Sequence, residues 1–430
     1  MTIAFLTILF LGLLLLGAPV AFALGIPTAV YFFMQGGRIP IEFMPHTMTS
    51  PLFNYVLVAL PAFLLVGRMM NSSGVTDRLF NASIALVGRF RGGLAHSNVF
   101  ASVLFATMSG TAIGDAGGMG QVQMRMMTQA GYRKAFSAGI SAASPIIGPI
   151  LPPSVAMVIL GATAEISIGR LFLGGVFPGL LLALALMVNV ALRAHFTAEG
   201  RTWPIEKVPA KKTVKSLFGA FLPMLCPVII VGGIVGGVVT PTEAAILAIN
   251  FALLLGIIYR EMTWKKLWKT LEETIVSAGV FMYLIAVASF FTWVVLREGL
   301  PQVLSGLLAP MINYNPTIAL FVLLLCLLFL GCFLDTTPAI LLLAPILVPI
   351  VRGLGIDVVH FGVFMTLALC IGIVTPPFGI CVFVLSDVAK LPVREVQKEA
   401  IRYVPAMVVV AVLLILFPQI VLWLPNRIFG

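Results

Sequence analysis

The sequence predicts an all-α polytopic membrane protein built as an inverted-topology repeat, with two re-entrant helical hairpins and two discontinuous helices. Three observations predict it. Apolar residues fill 60% of the 430 positions and charged residues only 10%, where a soluble domain carries about 25% charge. Apolar runs of spanning length recur, among them 3–24, 171–190 and 404–424. Two further apolar segments are broken by the same motif, Gly-x-x-x-Pro-Pro, at 148–153 and again at 372–377.

The elements follow in order once the N-terminus is placed outside. Helices at 3–24, 26–41 and 52–66 lead to Arg68 and Arg78 inside, and an amphipathic arm ends at Arg89 and Arg91. Segment 94–124 is rich in Gly, Ser and Thr from Ser109 to Gly120, so it reads as a hairpin that returns to Arg125, Arg133 and Lys134. A broken helix, 135–160, crosses outward, and 171–192 comes back. The polar stretch 193–215 is too short for a soluble domain. Two central helices then reach Arg260, Lys265, Lys266 and Lys269 inside. Helix 271–296 crosses outward, a second hairpin at 317–350 is interrupted at 331–338, and broken helix 359–385 returns to Lys390, Arg394, Lys398 and Arg402. The last helix ends outside, so both termini are periplasmic.

This path puts 21 of the 26 Lys and Arg residues inside, leaving Arg38, Arg170, Arg297, Arg352 and Arg427 outside. Such a bias is the positive-inside rule. It accounts for the net charge of +10 without nucleic acid. The domains are then 1–51, N-terminal scaffold helices; 52–192, a first repeat; 193–270, a cytoplasmic loop and central scaffold helices; and 271–430, a second repeat of opposite orientation. Ser109 to Gly148 spans 39 residues and Gly331 to Gly372 spans 41, which supports the pairing. Ala21-Phe22-Ala23 resembles a cleavage site, but nothing basic precedes it, so 3–24 reads as an uncleaved helix.

Proline has no N–H and cannot bond the carbonyl four residues earlier. Pro152 is expected to free the Gly148 carbonyl and Pro376 that of Gly372; Pro153 and Pro377 free those of Pro149 and Ile373. Free carbonyls in hydrocarbon cost several kcal/mol each, on the order of an unsatisfied buried amide, so something polar takes them up. Interrupted helices at matching positions in two halves point to a substrate or ion site near mid-membrane.

The hairpin tips supply the rest of that chemistry. The first reads Ser109-Gly110-Thr111-Ala112-Ile113-Gly114-Asp115, the second Gly331-Cys332-Phe333-Leu334-Asp335-Thr336-Thr337-Pro338. Hydroxyls and freed carbonyls are hard oxygen ligands suited to Na⁺. Asp115 and Asp335 are ionisable groups at membrane depth and functional by default; Asp335 is expected in the site, Asp115 toward the edge of its hairpin. Glu243 is expected to cap a helix after Thr240-Pro241-Thr242. No P-loop and no His-Glu-x-x-His occur, and His46, His96, His195 and His360 are single. Ser154 has no histidine nearby to activate it. The five cysteines lie in apolar segments and read as packing residues. The tryptophans, near segment ends or in loops, read as interfacial anchors. No enzyme chemistry and no cofactor are expected.

On the two tips and two breaks, the sequence resembles the large membrane subunit of tripartite ATP-independent periplasmic (TRAP) transporters, the DctM-like family, over nearly the whole chain. Ala112 interrupts the run of small hydroxyls that many members carry at the first tip. The resemblance implies a bacterial or archaeal inner-membrane permease that imports an organic acid on a Na⁺ gradient. It implies two partners besides the bilayer: a small four-helix membrane subunit and a periplasmic substrate-binding protein. It also implies that hairpins and broken helices move as an elevator against a scaffold. Carried onto this chain, one Na⁺ site would use Ser109 with Gly148, Leu151 and Pro153, and the other Gly331 with Gly372, Thr375 and Phe378. Substrate would lie between the tips, against Thr111, Asp335, Thr336 and Thr337. The alternatives are a self-sufficient Na⁺-coupled anion symporter and a membrane enzyme or scaffold.

Overall fold

A computed structural model describes residues 2–36, 38–40, 42–205, 209–377 and 379–430 of the chain, and every regular element among these residues is helical. Seven of the helices are long and apolar enough to cross a bilayer, the longest being Trp264–Arg297.

The order of elements recurs in the two halves. In the first, Ala59–Ser72 is followed by an arm, Val75–Val87. The first hairpin comes next, with Gly93–Ser109 leading to the tip and Ala112–Gly117 and Met119–Gln129 returning from it. The first broken helix is Lys134–Ala143, a tight turn at Ser144–Ile147, and then Val155–Ala164. In the second half, Trp264–Arg297 is followed by the arm Leu300–Tyr314. The second hairpin is Pro316–Gly331 with Thr336–Gly353, and the second broken helix is Val358–Gly372 with Ile380–Ala389.

Local chemistry starts these helices where they start. Ser154 accepts the Met157 N–H at 3.1 Å and opens the second piece of the first broken helix. Asp357 accepts from Val359 and His360 and opens the second broken helix. Each supplies an acceptor to N–H groups that a helix start leaves unpaired. Glu243 closes a capping box with Thr240, as its position suggests.

Two sequence expectations are corrected at the chain ends. The run 3–24 is not one helix: Thr2–Leu15 stops, and Val20–Met34 starts after Pro19. Between them Gly17 sits at φ +81°, where an L side chain is strained. The final run likewise divides at Phe417 and Pro418 into Val404–Leu416 and Gln419–Phe429. A third correction concerns Trp203, which is buried against Phe136 and Tyr132, with ring centroids 4.4 and 5.5 Å away, and is no interfacial anchor.

The halves interlock. Val155–Ala164 packs on Thr336–Gly353 of the other half, and Lys134–Ala143 packs on Ile380–Ala389 and Val393–Ala400. Ile146, Ile147, Ile150, Phe361, Phe364 and Met365 lie fully buried in one continuous core. Charges assigned to one side by the basic-residue count also meet in space. Glu399, 4% exposed, bonds Arg193 at 2.7 Å, Arg402 at 3.2 Å, and Arg133. At the opposite end Arg170 donates to Asn426 at 2.6 Å.

Candidate functional site

Each hairpin tip rests on the break of its own half. At the first junction Gly110 sits at φ +63°, and a Cβ there would be 2.4 Å from the Pro153 carbonyl oxygen. Only glycine allows that approach. The Val155 N–H donates to the Gly110 carbonyl at 3.2 Å and fixes the tip to the start of the second helical piece, Val155–Ala164.

Oxygen atoms collect at this junction. Ser109 donates its hydroxyl to Asp115 Oδ1. Asp115 is 1% exposed, and its Oδ2 has no hydrogen-bond partner among the described residues. That oxygen lies 2.9 Å from where a Cβ on Gly148 would be. Asp115 is therefore at the heart of the first junction and not at the hairpin's edge. Of the carbonyls that the prolines expose, Pro149's takes the Ser154 hydroxyl at 2.5 Å. The Gly148 carbonyl has no such donor among the described residues. Leu151 is buried, its side chain against Gly179. Ser109, Gly148 and Pro153 are thus brought together, while the Leu151 side chain turns to Gly179.

The second junction is closer, and its prolines, Pro376 and Pro377, are exposed where those of the first are buried. A Cβ on Gly372 would lie 2.0 Å from the Gly331 carbonyl carbon, so the two backbones touch. Here the proline argument is corrected. The Gly372 carbonyl is not free, because the Thr375 N–H turns back to it at 2.9 Å. Thr375 donates its own hydroxyl to the Ile371 carbonyl at 2.7 Å. The Val374 carbonyl accepts the Gln397 amide at 2.7 Å. Gly331, Gly372 and Thr375 are brought together; Phe378 lies outside the described residues.

A cavity of about 440 Å³ opens between the two tips and a wall made by helices Ala59–Ser72 and Trp264–Arg297. Thr111, Asp335, Thr336 and Thr337 all line it. Asp335 caps its own helix through Oδ1, which accepts the Thr336 N–H at 2.8 Å. Thr336 Oγ1 lies 3.4 Å from Cys370 Sγ. Sequence reasoning missed Gln397, and it read Arg68 only as a topological charge. Arg68 lines this cavity with Glu273 and Ser277. Carbonyl, hydroxyl and carboxylate oxygens converging on a dry junction suit a hard cation. A polar-walled cavity beside two such junctions suits a small solute.

Known proteins resemble this chain over nearly its whole length. The family profile described as "Tripartite ATP-independent periplasmic transporter, DctM component" matches residues 7–420. The chain is 42% identical over 422 residues to the sialic acid TRAP transporter large permease protein SiaM of Vibrio cholerae serotype O1, covering 98% of this chain and 97% of that one. It is 33% identical to the C4-dicarboxylate TRAP transporter large permease protein DctM of the same organism, covering 100% and 99%. It is 36% identical to the sialic acid TRAP transporter permease protein SiaT of Haemophilus influenzae, covering 97% of this chain and 67% of that longer one. Among solved structures, the Alcanivorax borkumensis YdaH transporter superposes with a TM-score of 0.59 at 15% identity, covering 88% of this chain and 89% of that one. That last likeness is one of fold alone.

Proposed function

The chain belongs to the DctM family of TRAP transporter large permeases, and from that premise we propose that it imports an organic acid across the cell inner membrane with Na⁺ as the coupling ion. It is a transporter component and not an enzyme. The observation that carries the ion reading is the first junction, where Asp115 Oδ2, buried and without a hydrogen-bond partner among the described residues, faces Gly148 while Oδ1 accepts the Ser109 hydroxyl. A cation there would take up oxygens that otherwise stay unpaired at a cost of about 1–3 kcal/mol each. The second ion would sit where Gly331 meets Gly372 and Thr375.

The acid would occupy the cavity against Thr111, Asp335, Thr336 and Thr337, between the two ions. Sialic acid and C4-dicarboxylates, named for the relatives, set the substrate class. The hairpins enter the membrane without crossing it. With the broken helices, they move as an elevator against helices Ala59–Ser72 and Trp264–Arg297. The repeats 52–192 and 271–430 are oppositely oriented and both termini are periplasmic. A periplasmic binding protein delivers the acid, and a small four-helix membrane subunit packs beside this chain.

The test is uptake of sialic acid and of succinate into proteoliposomes holding this chain, its small membrane subunit and its binding protein. Uptake that needs both an inward Na⁺ gradient and the binding protein is the expected result. Uptake unchanged by omitting the binding protein would make the chain a self-sufficient symporter. Uptake indifferent to Na⁺ would sink the coupling.

A further inference from the structure

Gly67 and Arg68 lie where helix Ala59–Ser72 meets the first tip. A Cβ on Gly67 would stand 3.0 Å from the Ser109 Cα, so the helix backbone presses against the tip. The next side chain, Arg68, faces the cavity. Its Nη1 is 3.0 Å from Glu273 Oε2, and its Nη2 donates to Ser277 Oγ at 2.6 Å.

The charges on the cavity wall are unequal. Arg68 is the one cation among the described lining residues, against the carboxylates of Glu273 and Asp335. An organic anion entering this space meets two like charges and a single guanidinium. A carboxylate inside a membrane protein needs a positive or hydrogen-bonding partner. The guanidinium offers a planar, two-pronged donor face that matches a carboxylate. Its present partner is easily exchanged. The Arg68 and Glu273 side chains are 33% and 49% exposed, so a solute in the cavity can reach both groups.

We propose that Arg68 binds the carboxylate of the transported acid, with Glu273 as the internal carboxylate that the acid displaces. The proposal rests on the organic-acid reading above and adds its counter-charge. Thr111 and Thr337, on the hairpin tips, face the other polar groups of the acid. Because Arg68 stands on a helix outside the hairpins, the acid reaches it only while the tips rest against that helix. Arg68 thus marks one end of the transport stroke, on the side where Lys266 and Lys269 lie along helix Trp264–Arg297.

Binding of radiolabelled sialic acid and succinate to the purified full chain with its small membrane subunit, in NaCl and in choline chloride, tests this. Arg68→Gln should weaken binding of the acid that wild type takes by roughly ten- to a hundredfold, the loss of a charge-assisted hydrogen bond. Glu273→Gln should tighten binding several-fold, and the double variant should match Arg68→Gln. Arg68→Lys, which keeps the charge without the fork, should fall between, and it covers the case in which Arg68→Gln does not fold. Arg68→Gln affinity within twofold of wild type overturns the proposal. So does Glu273→Gln weakening binding as much as Arg68→Gln, since the pair would then be a brace. Wild type that binds equally in both salts overturns Na⁺ coupling alone, and the variants still decide the carboxylate site. Wild type that binds neither acid overturns the organic-acid reading and this proposal together.

Discussion

The two breaks share a motif and use their carbonyls differently. At the first, the Gly148 carbonyl has no donor among the described residues, and the Asp115 carboxylate points at the glycine. At the second, Thr375 turns back onto Gly372 and Gln397 reaches in from a neighbouring helix to Val374, while the Ile373 carbonyl is the one with no donor among the described residues. The tip carboxylates divide in the same way. Asp115 faces its own junction, while Asp335 caps its own helix and lines the cavity. One motif, placed twice, makes one junction with a carboxyl group inside it and one without. The lesson is that a proline only releases a carbonyl; the next few residues decide whether it stays available.

The largest effect should come from filling the second junction. Gly372→Ala places a Cβ 2.0 Å from the Gly331 carbonyl carbon, backbone that cannot step aside. Na⁺-driven uptake should be abolished and the melting temperature of the purified chain should fall, overpacking costing about 1–3 kcal/mol. Gly219→Ala, with nothing within 4 Å, is the control. Normal uptake by Gly372→Ala would mean that the tight contact is not needed for transport.

Asp115→Asn comes next. It keeps the shape and removes the charge, so the Na⁺ needed for half-maximal uptake should rise roughly ten- to a hundredfold, as for a lost charge-assisted contact. Asp335→Asn should instead change the affinity for the acid. If both variants shift Na⁺ dependence equally, the division of labour between the two carboxylates is wrong.

The prolines sharpen the comparison further. Pro152→Ala restores an N–H that can close on the free Gly148 carbonyl, and should raise the Na⁺ requirement about tenfold, near 1.4 kcal/mol. Pro376→Ala restores one aimed at a carbonyl that Thr375 already occupies, and should change it by less than about threefold, under 0.7 kcal/mol. The reverse order would show that the second junction is the more ion-dependent of the two.

The smallest shift is expected from Gln397→Ala. It uncovers the Val374 carbonyl, but Gln397 is only half-buried, and water can take the amide's place at little cost. A change of about twofold in the Na⁺ midpoint, roughly 0.4 kcal/mol, is expected from the same uptake assay.

Much of this arrangement was legible in the sequence because its signals are local. Gly, Pro, Ser and Thr interrupt apolar helices wherever they cluster, so both tips and both breaks were found where they lie. What was not legible depends on distant partners. Asp115 is six residues from Ser109, and only the folded tip shows that it turns inward. Trp203 sits in a polar stretch, yet its partners Tyr132 and Phe136 come some seventy residues earlier. Arg68 follows the positive-inside pattern as well as any surface arginine, and nothing in the sequence announces Glu273 beside it. The division of the first apolar run failed for another reason. Hydropathy is continuous across Gly17 and Pro19, and backbone geometry alone ends the helix there.

Glu399 adds a charged clasp to the packed seam between the halves. Its two oxygens hold arginines from the start of the first broken helix, the end of helix Ile168–Phe196 and the turn that follows its own helix. Its backbone lies against Gly139, where a Cβ would meet the Glu399 side chain at 2.5 Å. Both halves are therefore fastened at one carboxylate far along the chain from either tip. Remove it, and three cations that now share a counter-ion repel one another across the seam. A fault there would touch neither tip, yet it would loosen the seam between the two halves.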